Sequence, residues 1–159
     1  MPKNISDFLP ATTMGRAVEG VLVTPSKLVA TDTFKLIEVK HENPIEKPVV
    51  LRLPKGMKTF DGITATGETV TLTKKGALYP AADTLDPDQY PRYEQAFPTE
   101  QPQFQITLSP VHLKAIATAY EKSKAVRLSF YSARKPLHFT DGTLGQEETK
   151  RALLMPIVE

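Results

Sequence analysis

The sequence predicts an α+β fold in which strands dominate: two β-meander halves with one clear helix, from about 109 to 122. Three observations predict it. Short β-branched and apolar runs are broken every few positions by Pro, Gly, Asp, Ser or Thr, residues that favour turns and do not extend a ladder. One stretch carries a helical apolar repeat, with Leu113, Ile116, Ala117 and Tyr120 at i, i+3, i+4 and i+7. Between the halves, at about 81–102, Pro87, Pro91, Pro98 and Pro102 punctuate a segment rich in Asp and Gln.

Residues 4–10 read as one turn of helix, capped by Ser6 or Asn4 and stopped by Pro10. Three strands follow at 18–23, 27–30 and 34–39, joined through Thr24-Pro25-Ser26 and Thr31-Asp32-Thr33. Asp32 is placed to accept hydrogen bonds from backbone N–H groups of its turn. Residues 49–53 form a strand ended by Pro54, and 55–63, with two glycines and no helical repeat, a loop. Short strands at 63–65, 69–73 and 77–79 turn at Gly67 and Gly76. The proline-rich segment is extended, not helical. In the second half Phe104, Ile106 and Leu108 alternate as a strand at 103–108. Ser109 caps the helix, with Pro110 at its first position. Strands at 126–131, 137–140 and 151–158 complete a second meander.

At 159 residues the chain suits a single domain, with halves at about 16–80 and 103–159. Its content, 40% hydrophobic and 24% charged, is that of a soluble protein. No run of about 18 apolar residues is present, and the first residues lack the basic-then-apolar plan of a signal peptide, so a cytoplasmic location is expected. The absence of cysteine excludes disulfides, thiolate metal sites and a cysteine nucleophile. His41, His112 and His138 are scattered, so no structural metal and no cofactor are expected.

The net charge is +2; residues 1–83 carry 11 basic and 9 acidic groups, residues 84–159 carry 9 and 9. Tight non-specific DNA binding needs Lys and Arg gathered on one face, so a single chain is expected to hold DNA weakly.

Three segments carry a resemblance. GVLV, a short turn and then KLVATDTFKLIEV is similar to the strand-turn-strand of bacterial DNA polymerase sliding clamps, the beta subunit of polymerase III. Asp88 to Pro98, DQYPRYEQAFP, resembles that family's interdomain connector, and LLMPIVE at 153–159 resembles its C-terminal strand. The order of the three is the family's. The chain covers roughly a third of an ordinary clamp, about one of its three domains. The family's first-half helices have no counterpart here.

The resemblance implies a non-catalytic replication protein. In the family these segments build one pocket for short peptides of polymerases and repair proteins, with a Gln followed by Leu and an aromatic. Residue by residue, that pocket maps onto Val18, Thr31, Thr33, Phe34, Lys35 and Leu36, then Pro91 and Ala96, then Leu153, Leu154, Met155, Pro156, Ile157 and Val158. Thr33 stands where the family usually has Gly. Phe34 stands where it often has a basic or polar residue, so Phe34 is expected to fill part of the groove. Gln95 replaces a frequent Arg, and Glu159 ends the chain in place of a basic-apolar pair. The resemblance also makes Lys114 and Lys122, on the helix face opposite the apolar stripe, DNA-facing in a homo-oligomeric ring.

The residues themselves leave alternatives open. Every apolar position named also suits core or edge-strand packing, and the lysines also suit a solvated helix face. Ser109 is explained as a cap, Glu147 and Glu148 read as solvated charge at a hairpin tip, and no Ser, His and Asp constellation or phosphate-cradling loop is visible, so no enzyme is expected. The rival reading is a small β-rich structural or interaction protein that keeps the clamp fold without clamp function.

Overall fold

Val21, Leu22 and Val23 are all buried, although a strand alternates its side chains between two faces, because both faces of their sheet are covered. The computed structural model describes residues 5–10, 17–57, 59–66, 69–81, 84–123, 125–141 and 150–157. The chain divides into two compact units, Met1–Phe97 and Pro98–Glu159. The class is α+β, mostly β, with three antiparallel sheets.

The first unit holds β1 (Val21–Val23), β2 (Lys27–Thr31), β3 (Leu36–Lys40), β4 (Val49–Leu51), β5 (Gly62–Thr66), β6 (Thr69–Lys74), β7 (Ala77–Pro80) and β8 (Thr84–Leu85). One sheet runs β3-β2-β1-β4-β8 and the other β5-β6-β7. The first three strands form the expected meander, with Leu22 opposite Val29 and Ala30 opposite Ile37.

Alternation sorts the larger sheet into two apolar faces. Val21, Val23, Leu28, Ala30 and Leu51 pack with Ile63, Val70 and Leu72 of the smaller sheet, and Ile5, Met57 and Phe60 complete that core. Leu28, Leu51 and Leu72 are fully buried, each contributing about 1.5–3 kcal/mol. Leu22, Val29 and Val50 face the other way and pack with Ala17, Tyr90 and Tyr93.

The proline-rich segment is thus part of the first unit up to Phe97, and it is not simply extended. It contains β8 and two 3-10 turns, Pro87–Gln89 and Tyr93–Ala96. Proline at the first position of a helical turn loses no hydrogen bond, and Asp86 caps the first turn by accepting from the Asp88 N–H at 2.9 Å. Val18 lies in a third such turn, Ala17–Glu19, and not in a strand; Phe34 belongs to the β2–β3 turn, since β3 starts at Leu36.

The second unit holds α1 (Pro110–Ala119) and the sheet β11-β10-β9, made of β9 (Val126–Ser129), β10 (Leu137–Asp141) and β11 (Arg151–Leu154). The expected strand at 103–108 is absent; Thr107 accepts one bond there, from the Ile157 N–H at 2.8 Å. Ser109 caps α1 as expected, accepting from the His112 N–H at 3.5 Å. The helix is shorter than 109–122: its last carbonyls meet the Tyr120 N–H, and the Lys150 ammonium donates to the Ala119 carbonyl at 3.1 Å. Lys122 therefore lies beyond the helix end.

Of the predicted stripe, Ile116 and Tyr120 pack with Leu137, Phe139 and Leu154, whereas Leu113 and Ala117 are exposed. Gly67, Glu147, Glu148, Val158 and Glu159 lie outside the described residues. Among the described residues no helix is long and apolar enough to cross a membrane.

Candidate functional site

The β1–β2 turn is built from short polar residues that satisfy its own backbone. Thr24 exchanges bonds with Lys27: its N–H donates to the Lys27 carbonyl at 2.9 Å and its Oγ1 accepts from the Lys27 N–H at 3.1 Å. Asn43, buried, fixes the turn from the side, its Nδ2 donating to the Thr24 carbonyl at 2.7 Å and its N–H to the Pro25 carbonyl at 2.9 Å. The turn thereby becomes a rigid wall.

The connector supplies the opposite wall. The Tyr90 hydroxyl donates to the Val29 carbonyl at 3.2 Å, and Tyr93 meets Tyr90 edge-on, ring centroids 6.4 Å apart at 78°. Between the walls lies an open groove of about 770 Å³, lined among others by Leu22, Pro25, Lys27, Tyr90, Pro91 and Tyr93. Its lining mixes Leu22, two tyrosine rings and four prolines with the charged side chains of Lys27, Lys47, Asp88, Arg92 and Glu94.

Three cations line the groove, Lys27, Lys47 and Arg92. Lys27 Nζ lies 5.2 Å from the Tyr93 ring centroid and 3.0 Å from Glu38 Oε2. The nearby Tyr93 hydroxyl and the Glu38 carboxylate push the Lys27 pKa above its ordinary value, so the ammonium stays charged. Burial pushes Tyr90 and Tyr93 upward in turn, and both remain neutral phenols.

The β2–β3 turn stands at the other end of β2. Thr31 is buried; its Oγ1 donates to the Lys35 carbonyl at 2.9 Å and accepts from the Thr33 N–H at 3.0 Å. Asp32 behaves as expected, accepting from the Phe34 N–H at 3.0 Å and the Lys35 N–H at 2.9 Å, and it pairs with the Lys35 ammonium at 3.1 Å. Thr33 holds φ +78°, a left-handed conformation that costs a non-glycine residue about 1–3 kcal/mol. Phe34 fills no groove: it is 96% exposed.

Two of the three motif segments meet in the first unit. Leu36 packs against the cluster that holds Tyr90, Tyr93 and Ala17, and Val18, half-buried, follows Ala17 in its turn. Pro91 lines the groove; Ala96 is exposed at the end of its turn and outside the lining. The third segment belongs to the second unit. There Leu154 and Pro156 are buried, while Leu153, Met155 and Ile157 alternate with them as exposed apolar side chains. Lys114 is exposed on α1, and Lys122 is exposed beyond it.

Sequence reasoning missed Tyr90, Tyr93 and Lys27 as groove residues. A signal existed: two tyrosines three apart in a segment otherwise rich in Pro, Asp and Gln have little reason to be there unless they pack. A scan against known protein-family models finds no match, and a search of the curated proteins finds none.

Proposed function

We propose that this chain is a non-catalytic binding protein that takes short extended peptides through an apolar anchor, as the sliding clamps it resembles do. One observation carries the reading. The clamp-like strand-turn-strand and the connector-like segment, apart in sequence, share one apolar cluster through Leu36, Tyr90 and Tyr93, beside an open groove walled by Pro91. Rigid aromatic and proline walls suit a peptide because they bury an anchor without first having to be ordered themselves. The Lys27 ammonium adds a fixed positive charge for a peptide carbonyl or carboxylate. The setting we propose is replication or repair in the cytoplasm, where clamp-binding peptides are found.

The test is titration of a fluorescent peptide carrying Gln-Leu, a spacer and Leu-Phe into the protein. Saturable binding at micromolar concentrations, lost in Pro91→Glu, supports the reading. Met155→Glu asks in the same assay whether the C-terminal segment takes part. A folded protein that leaves the peptide free removes the clamp reading and leaves the β-rich interaction protein.

A further inference from the structure

From Val126 to Thr140 the chain carries Arg127, Arg134, Lys135 and His138 and no Asp or Glu. In a protein whose charges otherwise nearly cancel, at +2 overall, that hairpin is a stretch of one sign. Phe130 and Tyr131 stand between its cations. Cations interleaved with aromatic rings suit a single nucleic-acid strand, because phosphates meet the charge and every base has a flat face to stack.

Strand register gathers these residues on one surface. Leu137 and Phe139 of β10 face α1, where they pack with Tyr120, so His138 and Thr140 between and after them point to the opposite face. Thr140 pairs with Arg127 of β9 on one side and Arg151 of β11 on the other, and His138 pairs with Ser129 and Leu153. Paired residues share a face. Two exposed arginines therefore stand two strand spacings apart, about 10 Å, on a face to which the three strands bring no carboxylate. Lys150, next to Arg151, goes the other way and reaches the Ala119 carbonyl.

The β9–β10 turn adds a second pair of cations. Arg134 and Lys135 are exposed, and among the described residues neither is in an ion pair. Between the two pairs Tyr131 is 63% exposed. Phe130 leans on Phe104, with ring centroids 6.3 Å apart, whereas among the described residues no ring lies against Tyr131.

We infer that this hairpin and the adjoining β11 bind single-stranded DNA, with Arg127, Arg151, Arg134 and Lys135 meeting phosphates and Tyr131 stacking on a base. A duplex fits less well, since its base faces are already stacked on one another. RNA fits less well too, since its 2′-hydroxyl calls for a polar partner, and Leu153 and Met155, exposed along β11 and just past it, offer none. Phosphate contacts carry no sequence information, so the binding is indifferent to sequence. Four cations and one stacked ring make it weak. The inference uses the second unit alone and needs neither the groove nor the peptide of the proposed function.

Fluorescence anisotropy of the full chain with a labelled oligothymidine of about 15 nucleotides tests it. The expected result is saturable binding in about 50 mM salt, with a log–log salt slope of about −2.8 for four phosphate contacts, so that fourfold more salt weakens it about 50-fold. Arg134→Gln with Lys135→Gln should flatten the slope by about 1.4. Tyr131→Ala should weaken binding by about tenfold, the loss of one stacked base, and Tyr131→Phe, which keeps the ring, should bind as the wild type does. Lys114→Gln with Lys122→Gln removes the same charge elsewhere in the unit and should leave the slope as it was. A chain that leaves the oligothymidine free in low salt overturns the inference. So does a Tyr131→Ala variant that binds like the wild type, or a duplex or oligouridine probe held at least as tightly. Peptide titration of Tyr131→Ala, whose groove is untouched, reads the proposed function separately.

Discussion

The hydroxyl of Tyr90 donates to the carbonyl of Val29 at 3.2 Å, fastening the connector to the strand from which the first sheet's meander is built. Both groups are buried, so removing the donor leaves a carbonyl without its bond. A buried hydrogen bond of this kind contributes about 0.5–1.5 kcal/mol, and an orphaned partner raises the loss to about 1–3 kcal/mol. Tyr90→Phe should therefore lower amide-exchange protection of Leu28 and Val50 by roughly tenfold, the equivalent of about 1.4 kcal/mol. Unchanged protection would mean that apolar packing alone holds the connector.

The second unit repeats the device with other elements. The Tyr120 hydroxyl, at the end of α1, donates to the Phe139 carbonyl of β10 at 3.1 Å. Tyr120→Phe should reduce protection of Leu137 and Phe139 by a similar factor and leave Leu28 and Val50 as they are, since the two units have separate cores. A parallel loss at Leu28 would show that the units open together.

Much of this architecture is legible in the residues. The three-strand meanders follow from turn residues between β-branched runs, and Ser109-Pro110 marks the start of α1 because both act within one turn. What escaped depends on packing at long range. The alternation of Phe104, Ile106 and Leu108 suggests a strand, yet a strand needs a partner, and Thr107 finds one bond. Prolines at 87 and 91 argue for an extended connector, but the pull of Tyr90 and Tyr93 toward Leu22 and Val50 folds it into 3-10 turns. Phe34 resembles a strand residue by propensity; the Asp32 carboxylate, by taking the N–H groups of Phe34 and Lys35, holds it in a turn instead.

Gly20 has a role that its flexibility does not explain. A Cβ there would lie 2.5 Å from Val50 Cγ1 and 3.0 Å from the Leu51 carbonyl oxygen, so the side chain of β4 and its backbone both press on the site. Gly20→Ala should cost about 1–3 kcal/mol through overpacking, measured as a lower urea midpoint with an unchanged slope. Gly20→Ala combined with Val50→Ala removes the closer clash, and the pair should lose less than the sum of the single changes. Strict additivity would show that the Leu51 carbonyl is the obstacle.

The β2–β3 turn should be sensitive to acid. Desolvation works upward on the Asp32 carboxyl, but the N–H groups of Lys35 and Phe34 and the Lys35 ammonium outweigh it and hold the pKa below its ordinary value. A depressed folded pKa contributes stability that is complete above the unfolded value of about 3.9 and disappears as pH falls through the folded value. The amide resonances of Phe34 and Lys35 should stay constant down to about pH 5 and then move together at lower pH. In Asp32→Asn that titration should vanish. Movement near neutral pH would assign it to another group.

Thr33 offers the sharpest contrast, because two substitutions at one position are expected to act in opposite directions. Glycine adopts φ +78° without the Cβ penalty, so Thr33→Gly should relieve strain and gain up to about 1 kcal/mol after its larger unfolded-state entropy is counted. The gain cannot come from new contacts, since glycine brings none, and the Thr33 N–H keeps its bond to Thr31 Oγ1. Proline fixes φ near −65° and removes that N–H, so Thr33→Pro should break the turn and release Phe34 from its fixed display. Chemical denaturation orders the three proteins, with Thr33→Gly above the wild type and Thr33→Pro below it. A Thr33→Gly variant no more stable than the wild type would show that Thr31 and Asp32 already offset the strain in full, and that the turn is set by its hydrogen bonds alone.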